Sequence, residues 1–185
     1  MRNAFFAVCP KYGEQSGRIW KGFGLSVLTA LACALTWTAQ AEKLDCSGTK
    51  RSKQEISNQS IKPGDRSDRE LVQFVRVDVL ASKHPEFDKT ETTVYGHLDN
   101  VGPSGIDTGY AAYTLTSGEK LWVKWQGTHY VVTKGNNDWE VPYLGVYHFI
   151  SGTGKYKAIR GGGFYKGRVT PARGTEEDFT CEAEY

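Results

Sequence analysis

The side chains able to carry chemistry are thinly spread along this sequence. Its four histidines lie far apart, and none has a second histidine or a cysteine at the spacing of metal ligands: His84, His97, His129 and His148. The chain also lacks the Gly-x-Ser-x-Gly elbow that presents a nucleophilic serine. The sequence therefore predicts no metal and no cofactor, assigns no catalytic residue, and favours a protein that is not an enzyme.

Three aspartates, Asp78, Asp99 and Asp107, lie on or beside predicted strands. An aspartate whose side chain enters an apolar barrel interior has a raised pKa and can exchange protons with a ligand. An aspartate on the outer face of the same strand is solvated and has no such role. The outward position is the commoner one, so the direction of each side chain decides its chemistry.

A glycine-rich passage over residues 149–167 invites a search for phosphate-binding motifs. Phe149 stands where a P-loop needs its first glycine, and Tyr156 stands where it needs serine or threonine. Lys157 likewise interrupts the G-x-G-x-x-G pattern of dinucleotide sites. The basic residues of this region are followed by acidic residues at 176–178, so a solvated hairpin face explains them better than a nucleic-acid site.

Residues 1–41 are typical of a cleaved secretory signal peptide. Four basic residues precede an uncharged stretch of twenty residues that ends in Ala39-Gln40-Ala41. A membrane anchor is the alternative, since a stretch of this length could just span a bilayer. We expect cleavage before Glu42, no stable membrane insertion afterwards, and a periplasmic or secreted protein.

Removal of this leader changes the charge and the cysteine count. It holds four of the 23 basic and one of the 21 acidic residues, which leaves 19 basic and 20 acidic residues and a net charge of about −1. A near-neutral chain does not favour nucleic acid or an anionic membrane as a partner. The remaining cysteines are Cys46 and Cys181, and an even count in an exported protein predicts a disulfide between them. Two buried free thiols are the less expected alternative.

The composition favours short strands and tight turns. The 185 residues are 39% hydrophobic, 12% aromatic and 24% charged, which is the range of one globular domain. The 21 glycines, ten tyrosines and five tryptophans favour β-structure over a helix bundle. We expect residues 42–69 to form a polar segment, which from residue 47 on is either a loop or a loose edge. An all-β domain over residues 70–185 follows it.

Alternation of apolar and polar residues predicts about eight antiparallel strands. Their bounds are 70–80, 92–100, 109–116, 120–132, 139–150, 156–160, 164–170 and 179–184. Closure removes exposed edges and brings the first and last strands together, so these strands favour a closed up-and-down barrel, with a sandwich as the alternative. In strand 120–132, Leu121, Val123 and Trp125 are expected to face the interior and Trp122 the outside.

The glycine passage also resembles a known signature. The stretch Ser151–Gly161 is similar to the pattern of allene oxide cyclase and dirigent β-barrels, in which Gly-Gly-Thr-Gly is followed by an aromatic residue, a small residue and glycine. The resemblance covers roughly residues 92–169 and extends to small exported bacterial proteins of that group, most of them without an assigned function. It implies the barrel fold. No position of this chain aligns with the catalytic residues of the dirigent proteins or the cyclases.

Three functional classes follow from these features. Barrels of this kind commonly hold a small apolar or aromatic ligand, and Tyr113, Trp125 and Tyr147 are the residues expected to line its site. A protein that acts through its surface is the second class, and an isomerase, cyclase or dirigent-like enzyme is the third, supported by fold resemblance alone. An open cavity with an inward carboxylate near a histidine or arginine would favour the enzyme, and a filled core would favour the surface function.

Overall fold

The structure is a computed structural model that describes residues 41–135 and 138–185. β-Strands make up most of this part of the chain. All but the last residue of the predicted signal peptide lie outside this part, as do Asn136 and Asn137 of a predicted hairpin turn. Among the described residues, no helix has the length and apolar character needed to cross a membrane. The elements are β1 (Lys43–Asp45), β2 (Gly48–Ile61), β3 (Arg69–Ser82), β4 (Glu91–Val101), β5 (Ser104–Thr114), β6 (Lys120–Tyr130), β7 (Val132–Gly135), β8 (Asp138–Gly152), the 3₁₀ helix η1 (Gly154–Ala158), β9 (Arg160–Thr170), β10 (Gly174–Phe179) and β11 (Glu182–Glu184).

Eight of these strands close into a barrel. β2, β3, β4, β5, β6, β8, β9 and β10 pair antiparallel in that order, and β10 pairs with β2 to complete the ring. β7 adds a short hairpin against the start of β8. The predicted closed, all-β, eight-stranded barrel is therefore confirmed, and the sandwich alternative is wrong. Closure pairs each of these strands on both sides, which removes the exposed edges of an open sheet.

The two ends of the domain meet at a disulfide in the barrel wall. β1 pairs with β11, and β11 pairs with β9 beyond the point where β10 ends. The breaks between β1 and β2 and between β10 and β11 hold Cys46 and Cys181, which are buried and bonded with their Cα atoms 5.0 Å apart. The predicted disulfide is confirmed. Such a bond fits an oxidising compartment.

The expectation of a loop or a loose edge over residues 47–69 is wrong for residues 48–61, which form β2, a strand paired on both sides. This strand carries only two aliphatic residues, Ile56 and Ile61, and both are exposed on the outside of the barrel. Its inward positions carry polar side chains such as that of Lys50, and two register shifts against β3 interrupt its alternation. The apolar alternation that predicts strands is therefore absent, and pairing with β3 and β10 makes the strand.

The predicted strand over residues 156–160 is also wrong, because most of this stretch lies in η1. Its first residue, Gly154, has a φ of +55°, which glycine adopts without the steric cost that a side chain would add. Tyr156 is fully buried, and the next strand begins at Arg160. The glycine passage therefore turns the chain across one end of the barrel before β9 starts.

The two ends of the barrel are built differently. At the closed end, η1, the loop over residues 83–90 and the chain terminus pack together, with Tyr156 between Phe87 and Tyr185. Leu121 is completely buried beside them at the start of β6. At the open end lie the β2–β3, β4–β5 and β9–β10 turns. The apolar core is therefore concentrated at the closed end.

Candidate functional site

A cavity of about 440 Å³ occupies the barrel from its middle to the open end. Exposed or half-exposed residues line it near the open end, among them Asn58, Val131 and Trp139, so it reaches solvent there. Small-molecule sites commonly enclose a few hundred Å³ with mostly apolar walls, and this cavity has that size. The interior of the barrel therefore contains an open cavity in addition to a packed core.

All three residues predicted to line a ligand site do line this cavity: Tyr113, Trp125 and Tyr147. Val123 lines it as well, and Leu121 lies buried on the same face of β6, as period-2 alternation predicts. Trp122 is on the opposite, outer face and is half-buried. The hydroxyl of Tyr147 donates to the carbonyl oxygen of Thr180 at 2.7 Å, so its ring rather than its hydroxyl is presented to the cavity.

Inward-facing glycines shape the cavity wall by making room for aromatic rings on neighbouring strands. A Cβ atom added at Gly96 would lie 2.2 Å from the Phe74 ring, and one at Gly145 would lie 2.3 Å from the Tyr165 hydroxyl oxygen. The same arrangement recurs in further pairs: Gly109 with Trp125, Gly127 with Tyr165, and Gly167 with Tyr143. The rings lie against the sheet because these positions have no side chain. Glycines on strands, and not only those in turns, therefore set the cavity volume.

A network of buried charges crosses one wall of the cavity. Lys50 Nζ lies 2.7 Å from Glu177 Oε1, and Arg76 Nε lies 3.0 Å from a carboxylate oxygen of Asp78. Lys50 is 8% exposed, Glu177 is 7% exposed and Asp78 is completely buried. The hydroxyl of Tyr143 donates to Glu177 Oε2 at 3.1 Å. Because two cations face two anions, the network is neutral, and burial does not leave an unpaired charge.

The valines of β3 predict this strand, but their side chains do not face the barrel interior. Asp78 is buried and Arg76 lines the cavity, whereas Val75, Val77 and Val79 lie on the outer face. Over residues 75–79 the polar side chains therefore face inward and the valines outward, the reverse of an ordinary amphipathic strand. The signal for this reversal in the sequence is Leu80, which shares a face with Arg76 and Asp78 and is buried at the closed end.

A second polar pair lies nearer the open end of the cavity. Nδ1 of His129 on β6 lies 2.5 Å from Oδ1 of Asp107 on β5, and the residues are 9% and 7% exposed. Both line the cavity. The imidazole lies against Gly105, where an added Cβ would be 2.4 Å from its Cε1 atom. Two residues 22 positions apart thus form a buried carboxylate–imidazole pair that no local motif predicts.

The remaining candidates for chemistry point away from the cavity. Asp99 pairs with Arg69 at 2.6 Å on the outside, and the hydrogen bonds from that guanidinium lower the pKa of Asp99. His97 and His148 are exposed on outer strand faces. No group of three or more histidine, cysteine, aspartate or glutamate side chains within residues 41–135 and 138–185 is arranged to hold a metal ion. Of the three aspartates singled out, Asp78 and Asp107 face inward.

Several tyrosines around the cavity are held as neutral hydrogen-bond donors. Burial is the main cause that raises the pKa of Tyr113, Tyr143, Tyr147 and Tyr165 above the ordinary value. The hydroxyl of Tyr165 and the indole Nε1 of Trp125 are buried without a hydrogen-bond partner among the described residues. Their rings meet edge to face with centroids 6.3 Å apart. Both polar atoms are buried within the cavity wall, so the rings and not these atoms border the open space.

No protein-family model matches the chain, and no curated protein matches it.

Proposed function

We propose that the protein binds a small, largely aromatic or apolar molecule in the barrel cavity. The observation that carries this proposal is the cavity of about 440 Å³, which reaches solvent at the open end. Tyr113, Trp125 and Tyr147 contribute rings to its wall. Aromatic rings favour edge-to-face and offset contacts with a second ring, so a flat aromatic molecule suits this wall.

The charged groups of the wall support a neutral ligand. Lys50 and Glu177 satisfy each other, as do Arg76 and Asp78, so a ligand need not supply a compensating charge. An ionised ligand would disturb this balance and would lose its own hydration on entry. A neutral molecule fits the cavity better.

A surface function has less support, because the barrel interior holds a cavity rather than a filled core. A specific observation supports an enzymatic function. Asp107 lies beside His129, and Asp78 lies beside Arg76, which is the arrangement that favours an enzyme in an open cavity.

We also propose that the protein works in the periplasm or outside the cell as a chain beginning at Glu42. The disulfide between Cys46 and Cys181 supports an oxidising compartment, and the uncharged run ending in Ala39-Gln40-Ala41 supports export. Amino-terminal sequencing of exported material should start at Glu42. Recovery of the uncleaved leader in a membrane fraction would contradict the proposal.

Binding is tested with N-phenyl-1-naphthylamine, a neutral aromatic probe whose fluorescence rises in apolar surroundings. We expect saturable binding to the full chain and at least tenfold weaker binding to Ala111→Phe, which places a ring in the cavity. Ala112→Phe is the matched control, because Ala112 faces the outside of the same strand. Equal binding to both variants would contradict binding in the cavity, and Leu98→Phe provides a milder block with His97→Phe as its outward control.

Single-tryptophan variants place the probe within the barrel. The full chain has five tryptophans, and replacement of all but Trp125 by phenylalanine leaves a reporter in the cavity wall. The corresponding variant that keeps only Trp122 has its reporter on the outer face. We expect the probe to quench the emission of Trp125 and to leave that of Trp122 unchanged. The opposite pattern would place the probe on the outside of the barrel.

A further inference from the structure

The Asp107–His129 pair fixes the proton of the imidazole on one nitrogen. A carboxylate only accepts hydrogen bonds, so its short contact with Nδ1 places the proton of the neutral imidazole there. Nε2 then carries the lone pair and can accept a hydrogen bond. Both residues are buried and line the cavity, so the wall itself sets the orientation of this acceptor.

His129 Nε2 is accessible, unlike other polar atoms of the wall that lack a partner. Among the residues that the structure describes, none forms a hydrogen bond with Nε2. Trp125 Nε1, the Tyr165 hydroxyl oxygen and Asn100 Oδ1 also lack partners, but these three atoms are enclosed. Nε2 is not one of the enclosed atoms, so it retains accessible surface. Gly105 contributes to this, because a Cβ atom added there would lie 2.9 Å from Nε2 and would cover it.

The position of His129 relates this acceptor to the rings of the wall. Trp125 and His129 share the inward face of β6 and are four residues apart, which separates their Cα atoms by roughly 13 Å along the strand. His129 is the one nearer the open end, since it pairs with Gly105 beside the β4–β5 turn. A ligand that packs its ring against Trp125 therefore has its outer edge beside Nε2.

We propose that His129 Nε2 accepts a hydrogen bond from the ligand, which is a neutral aromatic molecule with an N–H or O–H donor on the edge that faces the open end. The proposal rests on the binding function above and names the class of ligand for the same site. A ligand without a donor displaces water from Nε2 and leaves this acceptor unsatisfied, which costs free energy. A site of this kind selects against the analogue that lacks the donor.

The first test uses two isomers, 3-methylindole and 1-methylindole. They have the same atoms and similar apolar surface, but only 3-methylindole has an N–H donor. Displacement of N-phenyl-1-naphthylamine at pH 8.5, about two units above the pKa of an ordinary imidazole, measures the affinity of each. We expect the full chain to bind 3-methylindole about three- to tenfold more tightly, which is the net effect of one hydrogen bond.

Replacement of the acceptor should remove this preference. His129→Phe keeps a flat ring in the wall, so we expect the two isomers to bind equally while the affinity for 1-methylindole changes by no more than about twofold. His148→Phe, on the outer face of β8, is the matched control and should keep the preference of the native chain. Asp107→Leu combined with His129→Phe removes the unpaired carboxylate and gives the same test if the single variant fails to fold. Because the probe also has an N–H group, its own affinity is measured first for each variant.

Asp107 is a positioning residue that acts through the imidazole. In Asp107→Asn the side-chain amide can donate to Nδ1, which moves the imidazole proton to Nε2 and removes the acceptor. We expect the preference for 3-methylindole to fall to about one, with 1-methylindole bound as before. Long-range ¹H–¹⁵N NMR spectra of His129 show which nitrogen carries the proton. A proton on Nε2 of the native chain at pH 8.5 would overturn the proposal.

A second pair of isomers distinguishes hydroxyl from N–H ligands. 1-Naphthylmethanol has an O–H donor, and 1-methoxynaphthalene has none. These two differ in polarity, so the ratio of their affinities is compared between the native chain and His129→Phe. A ratio that falls about threefold or more only for this pair would assign a hydroxyl ligand, and a fall only for the methylindoles would assign an N–H ligand.

The outcomes separate this inference from the binding function. If the compounds displace the probe but neither pair shows a preference that depends on His129, the acceptor assignment is wrong and the binding function stands. If neither the probe nor any of the four compounds binds, the binding function fails as well.

Discussion

Aromatic side chains are common to the closed end and the cavity of this barrel, but they fill space at the closed end and border open space in the cavity. At the closed end, Phe87, Leu121 and Tyr156 are almost completely buried, and the Tyr156 hydroxyl donates to Glu86 at 2.9 Å. In the cavity, the rings of Trp125 and Tyr165 border open space, and their polar atoms lack partners among the described residues. Aromatic residues fill one half of the barrel and form the walls of the other.

This difference indicates where the barrel obtains its stability and where it has room for function. Filled apolar packing is worth several kcal/mol for each large side chain, and a wall beside a cavity lacks part of those contacts. Buried polar atoms without partners cost free energy, and they tend to persist where a ligand or water can satisfy them. Substitutions at the two ends should therefore differ in their effects on stability and on binding.

The largest expected effect is at the closed end. Phe87→Ala removes a ring that is 1% exposed and should lower the free energy of unfolding by about 3–5 kcal/mol. Phe74→Ala is the matched substitution in the cavity wall and should cost about half as much, because its half-buried ring already borders open space. Urea denaturation measures both. Equal losses would show that the two ends are packed alike.

The next effect tests the disulfide that ties the chain ends together. Cys46→Ser, Cys181→Ser or both should lower the free energy of unfolding by about 2–4 kcal/mol under oxidising conditions, because the bond restricts the unfolded chain. With reductant present, native chain and variants should unfold alike. Thermal denaturation with and without dithiothreitol measures the difference. A variant that remains less stable than the reduced native chain would point to lost packing instead.

A smaller effect tests the glycine–aromatic pairs of the wall. Gly96→Ala should push the Phe74 ring into the cavity, at a cost of about 1–2 kcal/mol, and should weaken binding of N-phenyl-1-naphthylamine. Phe74→Leu in the same chain should restore much of the lost stability and binding, since it removes the atoms nearest the added methyl group. A double-mutant cycle measures this coupling. Additive effects would show that Phe74 does not lie against Gly96.

The smallest effect concerns pH at the closed end. Hydrogen bonds from Lys155 and from the Tyr156 hydroxyl lower the pKa of Glu86. A pKa that is lower in the folded state stabilises the protein above the unfolded-state pKa, and this stabilisation is lost as the pH falls through the folded-state pKa. Glu86→Gln should therefore cost a little stability at pH 7 and nothing at pH 2, as measured by urea denaturation. An equal loss of stability at both pH values would show that packing, and not the charge of Glu86, causes it. Exposure of Lys155 keeps the effect small.

Much of the architecture is present in local sequence patterns. Alternation over β3, β4, β6 and β8 predicts strands close to their observed bounds. The pairing of Cys46 with Cys181 follows from the count of cysteines after the leader. The inward direction of Trp125 follows from its phase with Leu121 and Val123. These features are predictable because they depend on backbone geometry and residue type within a few positions.

Barrel closure determines which polar side chains face inward and how much space they leave. Lys50 lies on a strand without apolar alternation, and its burial is stabilised by Glu177, which arrives from the far end of the chain. His129 meets Asp107 because β5 and β6 pair in one register and both bend around the same interior. The volume of the cavity depends on aromatic rings such as that of Tyr165, which lies against glycines on two neighbouring strands. Each of these outcomes depends on barrel closure, which sets side chains from distant strands against each other and is not encoded in any single segment.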